Sequence, residues 1–159
     1  MEPKECKEFC RTAVDADIES VKYILDERFE WLAEKYADEK YDRAFIWEDI
    51  TQRHNEGNLY VYVNGNRILG FCSIEHETAD YVYVTNCVTK MHCAEHNIMA
   101  KLFNHILTDK KKTIHADVIA NIPKVREHYS KIGAIFDGFG HCEDGLQIEY
   151  FHINNIINL

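Results

Sequence analysis

Two β-rich runs, Leu59-Tyr60-Val61-Tyr62-Val63 and Ile68-Leu69-Gly70-Phe71-Cys72-Ser73-Ile74, are joined through Asn64-Gly65-Asn66. Tight turns that match the twist of paired strands need positive φ, which glycine and asparagine accept at low cost. The join therefore predicts a β-hairpin, and any fold for this chain must contain an antiparallel sheet. A polar stretch near Glu77 to Asp80 leads into Tyr81 to Val88, a further β-rich run, so the hairpin extends to a three-stranded meander.

On either side of the meander the apolar period changes from two to that of a helix. Phe9 to Val14 reads as a first strand, after which Asp15 or Asp17 offers a side-chain oxygen to the free amides of a helix start. Ile18, Val21, Leu25, Leu32 and Tyr36 follow on one helical face, with Phe29 in the gap. A second helix is expected from about Asp42 to His54, closed by Gly57, and a third where Ile98, Leu102, Phe103, Ile106 and Leu107 recur. Thr113 to Ile119 is a fifth strand, Ile122 to Lys131 a helix stopped by Gly133, and Ala134 to Gly138 and Leu146 to Ile153 the last strands. The order βαα-βββ-αβα-ββ predicts an α+β fold with a mixed, mostly antiparallel sheet flanked by helices.

With 159 residues, 46% hydrophobic and 28% charged, and no repeat or linker, the chain is expected to form a single domain over 1–159. Its net charge of −9 argues against binding nucleic acid, which needs a basic surface, and is compatible with a cationic or amine partner. No apolar run is long enough to cross a bilayer and the start lacks the apolar centre of a signal peptide, so no membrane partner and a cytoplasmic location are expected. The six cysteines form no framework and read as reduced, largely buried thiols. His92-Cys93-x-x-His96 lacks the separated ligand pairs of a zinc site, and no metal is expected.

Asn121-Ile122-Pro123-Lys124-Val125-Arg126-Glu127-His128-Tyr129-Ser130-Lys131-Ile132-Gly133-Ala134 carries Asn, Tyr, Lys and Gly at the spacing of an N-x-x-A-x-x-x-Y-x-K-x-G-F stretch, and Arg11 to Ile18 matches a first strand running into an x-x-D-x-x-x-I helix. On these residues and the order of elements, from about residue 8 to 152, the chain resembles the GNAT superfamily of N-acetyltransferases. The resemblance implies acetyl-CoA as co-substrate and an amine acceptor. It implies that backbone near Cys87, Val88 and Lys90 holds the pantetheine arm, that Asn121 ends the fifth strand beside it, and that Tyr129 protonates the leaving thiolate. It also implies a phosphate loop between Val88 and Leu102, over Glu95, His96, Asn97, Ile98 and Met99.

That loop departs from the superfamily's Q/R-x-x-G-x-G/A signature, for Thr89 to Ala100 contains no glycine. Backbone amides and a helix start, with cations from Lys90, His92 or His96, remain available for a pyrophosphate, whereas Glu95 brings like charge to it. Glu75, His76 and Glu77, at the end of the third strand, are the candidates for a base acting on the amine, against the plainer reading of a solvated turn. Two functions follow: an N-acyltransferase that moves an acetyl group to a small-molecule or protein amine, or a catalytically inactive binding or regulatory module that has lost CoA, with a homodimer through a sheet edge as an option in either. If acyl-CoA binds, Glu95→Gly is expected to tighten it when measured by calorimetry, and a sub-micromolar wild-type affinity contradicts a loop that opposes the anion.

Overall fold

The structure, a computed structural model, describes residues 7–35, 42–93, 97–110, 112–119, 123–141 and 147–157. The elements follow the expected order: β1 (Glu8–Thr12), α1 (Ile18–Lys35), α2 (Arg43–Asn55), β2 (Leu59–Asn64), β3 (Arg67–Glu77), β4 (Tyr81–Thr89), α3 (Ile98–Lys110), β5 (Thr113–Ile119), α4 (Pro123–Lys131), β6 (Ile135–His141) and β7 (Gln147–Ile153). The strands form one seven-stranded sheet in the order β1-β2-β3-β4-β5-β7-β6. Every neighbouring pair is antiparallel except β4 and β5, which run parallel. The fold is α+β, as the order of elements implies.

The hairpin forms at the expected place, with Asn64 paired to Arg67 around Gly65 and Asn66. Gly65 takes φ +66°, so glycine serves the first central position of the turn, where a Cβ is least tolerated. Gly57 closes α2 at φ +77°, with its amide on His54 O (3.0 Å) and that of Asn58 on Arg53 O (2.8 Å). At the other end of α2 the Asp42 carboxylate accepts the Phe45 amide at 3.0 Å, a side-chain cap on the helix start. β6 runs to His141, further than expected, because a register shift between Phe136 and Gly138 takes up an extra residue with Gly138 at φ +134°.

Strand alternation divides the core into two layers. Leu59, Val61, Val63 and Phe71 face α1 and α2, where they meet Val21, Ile24, Leu25, Phe29, Leu32 and Ile50. Tyr60, Tyr62, Cys72, Ile74, Val82, Val84, Ile114, Ala116, Phe151 and Ile153 face α3 and α4, against Leu102, Phe103, Ile106, Tyr129 and Ile132. A fully buried Leu, Ile or Phe contributes about 1.5–3 kcal/mol, against about 0–1 kcal/mol for an exposed ion pair such as Lys22 with Asp26 at 3.0 Å. The two apolar layers therefore hold the helices to the sheet, and surface charge adjusts the total.

β1 stops at Thr12, short of the expected Val14, because the chain turns there into a single 3-10 turn (Asp15–Asp17). Asp17 fixes that corner. Its carboxylate accepts the Val14 amide (2.8 Å) and both outer nitrogens of Arg11 (2.6 and 3.0 Å). Burial opposes ionisation of Asp17, but the bonds from Arg11 and Val14, with the charges of Arg11 and His54, outweigh it and hold the carboxyl below its ordinary range. A carboxylate depressed in the folded state contributes stability above its unfolded pKa, about 3.9, and loses it as pH falls through the folded value. Asp17→Ala is expected to cost about 1–3 kcal/mol at neutral pH in urea denaturation, with the difference from wild type shrinking below about pH 4.

Candidate functional site

β4 and β5 pair over only four positions, Tyr81 with Thr113 through Val84 with Ala116. β4 continues to Thr89 and β5 to Ile119 without further pairing, so the two strands part and leave a notch in the middle of the sheet. The cause sits on β4. Between the Phe71–Val88 and Ser73–Thr85 pairs β4 carries one residue too many, and Asn86 absorbs it at φ +53°, a conformation asparagine tolerates better than most residues. The Asn86 amide nitrogen donates to Asp49 of α2 (2.7 Å) and to the Ser73 hydroxyl (3.1 Å). Asp49 is in turn paired with Arg53 at 2.9 Å, so α2 anchors the bulge that turns β4 away from β5.

Backbone groups in the notch lack a neighbouring strand. The Lys90 amide bonds back to Leu69 O at 2.8 Å, and across a trans peptide the Thr89 carbonyl points the opposite way, off the β3 side. That carbonyl accepts from Arg28 of α1 at 2.8 Å, and the next amide, of Met91, donates to Glu27 at 3.0 Å. Lys90 itself lies 3.9 Å from Glu27 and its ammonium over the Tyr23 ring. One face of α1 thus clasps the end of β4, a role the sequence pattern of α1 does not reveal.

The loop beyond reaches left-handed conformations without glycine: His92 has φ +64° and Asn97 φ +49°. Asn97 immediately precedes α3, and its carbonyl accepts the Lys101 amide at 3.1 Å. The first-turn amides of α3 have no intrahelical partner and carry the positive end of the helix dipole. Ile98 and Met99 are buried at 3% and 5% exposure, so any contact they make with an anion is through backbone. Gly70 lets this turn sit close, since a Cβ there would lie 2.5 Å from Ile98 Cγ2. A stretch of β4 beyond its last pair with β5 and the start of α3 are the places that suit a pantetheine arm and a pyrophosphate. Glu95, His96 and Asn121 lie outside the described residues.

On the α3 face of the notch stands Tyr129, 4% exposed, its ring stacked on Phe151 at 5.1 Å and tilted to Phe103 at 6.0 Å. Burial first, then the neighbouring Cys87, Asp117 and Cys72, raise its phenol well above the ordinary value, so it keeps its proton at any physiological pH. Cys87, half-buried beside it, has its thiol pushed up to about 12 by burial, with Arg28 opposing. Val88 pairs with Phe71 and packs toward the α1 layer.

On the opposite face, Asp117 is the first residue of β5 past its last pair with β4. It lies opposite Tyr150 of β7, and its charge acts on the Tyr83 phenol of β4. Burial raises its carboxyl, aided by the like charge of Glu75, while Tyr83 and its own amide oppose the shift. The same field, after burial, raises the Tyr83 phenol. Glu75, exposed on β3, acts on both groups through its charge. Glu77 pairs with Lys112 at 3.0 Å and stands opposite Val82, further from the parting of the strands. Sequence reasoning missed Asp117, although Thr113, His115 and Asp117 alternate with buried Ile114 and Ala116 and so mark a polar face.

Aromatic and imidazole rings extend from this centre across the face. His76 stacks on Tyr83 at 5.0 Å, Tyr81 meets His115 at 4.7 Å, and His115 lies 6.0 Å from His152, whose Nδ1 is 2.7 Å from Asp137. Among the described residues no group of His, Cys, Asp and Glu has the arrangement of a metal site, and no helix is long and apolar enough to cross a membrane.

No family model and no curated protein matches the sequence. Solved structures do. A GNAT-family acetyltransferase from Streptococcus agalactiae superposes with a TM-score of 0.76 at 11% identity, covering 96% of this chain and 96% of that one. One from Bacillus cereus gives 0.70 at 13% identity, covering 94% and 98%. A candidate acetyltransferase from Salmonella typhimurium, solved with its cofactor acetyl-CoA, gives 0.62 at 14% identity, covering 92% of each chain. Likeness at this identity establishes architecture, and with the parting of β4 and β5 it means that this chain has the GNAT fold.

Proposed function

We propose that the protein is an acetyl-CoA-dependent N-acetyltransferase whose acceptor is a cationic amine bound over Asp117. The observation that carries the reading is the notch itself, where β4 parts from β5 after the Val84–Ala116 pair, Asp117 is the next residue of β5, and Tyr129 packs in the α3 layer on the other face. A neighbour of the same fold holds acetyl-CoA, and the free edge of β4 suits its extended arm, which adds to a sheet like a strand.

Acetyl-CoA supplies the acetyl thioester. An amine arrives at neutral pH as an ammonium ion, and Asp117 and Glu75 attract it. Asp117 accepts a proton from the nitrogen, and its raised carboxyl is a better base for that step than an exposed aspartate. As the nitrogen bonds to the acetyl carbon and the carbon–sulfur bond breaks, Tyr129 Oη gives its proton to the sulfur, and the second nitrogen proton, shed as the amide forms, passes through water to restore the Tyr129 phenol. A backbone amide near Cys87 and Val88 polarises the carbonyl without any side chain.

A second reading, a CoA-free binding module, is favoured by the α1 clasp, because Arg28 already occupies the Thr89 carbonyl and Glu27 the Met91 amide. Titration of acetyl-CoA followed by amide NMR separates the two. Shifts at residues 87–90 and at Tyr129 are expected of the enzyme, and their absence at millimolar acetyl-CoA removes it while leaving the fold intact.

Tyr129→Phe is expected to lower acetyl transfer by about 10²–10⁴-fold with CoA affinity changed little; undiminished turnover takes Tyr129 out of the reaction. Asp117 must be ionised to act, so kcat/KM should fall as pH drops through its raised pKa, and Asp117→Asn should lower kcat/KM and abolish that acidic limb. An unchanged pH profile in the variant transfers the role to Glu75 or to water.

A further inference from the structure

Tyr150 lies between two neighbours on the acceptor face: Asp117 of β5 is opposite it on one side and Gly138 of β6 on the other. Its ring leans toward β6. A Cβ built on Gly140 would stand 2.4 Å from Tyr150 Cε2, 2.7 Å from its hydroxyl and 2.9 Å from Cζ. The end of the ring therefore rests on the bare backbone of Gly140, two residues beyond the strand partner Gly138. Any side chain there would collide with it, because non-bonded carbons settle at about 3.5–4.0 Å.

We propose that Gly140 is a specificity-determining position, which parks the Tyr150 ring on β6 and so sets the width of the acceptor space over Asp117. The proposal rests on the assignment of that face to the amine acceptor. A ring refused by β6 has two ways to go, toward solvent or toward β5, and the β5 direction narrows the space where the nitrogen must meet Asp117. Gly140 is the informative glycine of the two. Its φ lies outside the left-handed region, so alanine costs no backbone strain and meets only the far end of a side chain that can turn. Gly138 has φ +134°, and substitution there strains the strand itself.

The test is Gly140→Ala, read in two ways. In NMR of the free protein, contacts between the Tyr150 ring and the Gly140 α-protons are expected in the wild type. In the variant, the signals of Tyr150, Asp117 and Tyr83 should move while those of the α3 layer hold. In kinetics with acetyl-CoA, the ratio of kcat/KM for a bulky primary amine, cyclohexylmethylamine, to that for n-butylamine should fall about tenfold, chiefly through KM. Adding Tyr150→Ala to Gly140→Ala should restore the ratio, which loss of fold integrity would not allow. A wild type that acetylates neither amine counts against the acetyltransferase assignment, and the NMR contacts still decide the position of the ring. Absent Tyr150–Gly140 contacts, or unmoved Asp117 and Tyr83 signals in the variant, overturn the proposal, as does an unchanged ratio where the amines are substrates.

Discussion

The parting of β4 from β5 after Val84 and Ala116 is the feature on which the rest of the site depends. A sheet gains by pairing every strand along its length, since each buried backbone group left alone costs a hydrogen bond. This one gives up pairing at its centre, and the bulge at Asn86 is what turns β4 aside. A left-handed asparagine persists there because its amide is tied to Asp49 and Ser73. Helix α2, remote from the notch in sequence, thereby helps to keep it open.

The two faces of the notch differ in chemistry because the sheet is covered unevenly. On the α3 face the apolar layer closes around Tyr129 and leaves its phenol in a dry setting. On the other face α1 and α2 pack on β2, β3 and β4, while Tyr83, His115, Asp117, Tyr150 and His152 are only half-buried. One side of the notch is therefore of low dielectric and the other partly exposed.

The fold was legible in the sequence because its signals are local. The Asn-Gly turn, the Gly57 closure and the helical stripe of α1 each act within a few residues, and each sits where the pattern puts it. The spacing of Tyr129 from Asn121, Lys131 and Gly133 singles it out in the sequence, and the structure buries it beside the notch. Asp117 was not legible, because its significance comes from Tyr83, Tyr150 and Glu75 on three other strands, and a lone aspartate in a strand gives no sign of them. The glycine-free loop was read as a poor cradle from residue types alone. Left-handed φ values at His92 and Asn97 soften that inference, since the backbone reaches the needed conformations by other means. The α1 clasp was hidden for the same reason as Asp117, being 61 residues apart in the chain between Arg28 and Thr89.

The bond from Arg28 to the Thr89 carbonyl bears on solubility as well. A gap inside a sheet is an edge, and an edge with free carbonyls is a template for strands from other molecules. Proteins usually guard the outer edges of a sheet with charge, proline or a covering helix. Here the vulnerable edge is internal, and a cation reaching over from α1 blunts it at its open end. The guard is a long side chain and not a strand, so it can swing aside without unfolding anything. Self-association through the notch is thus discouraged by the same group that a slender, extended ligand would have to displace.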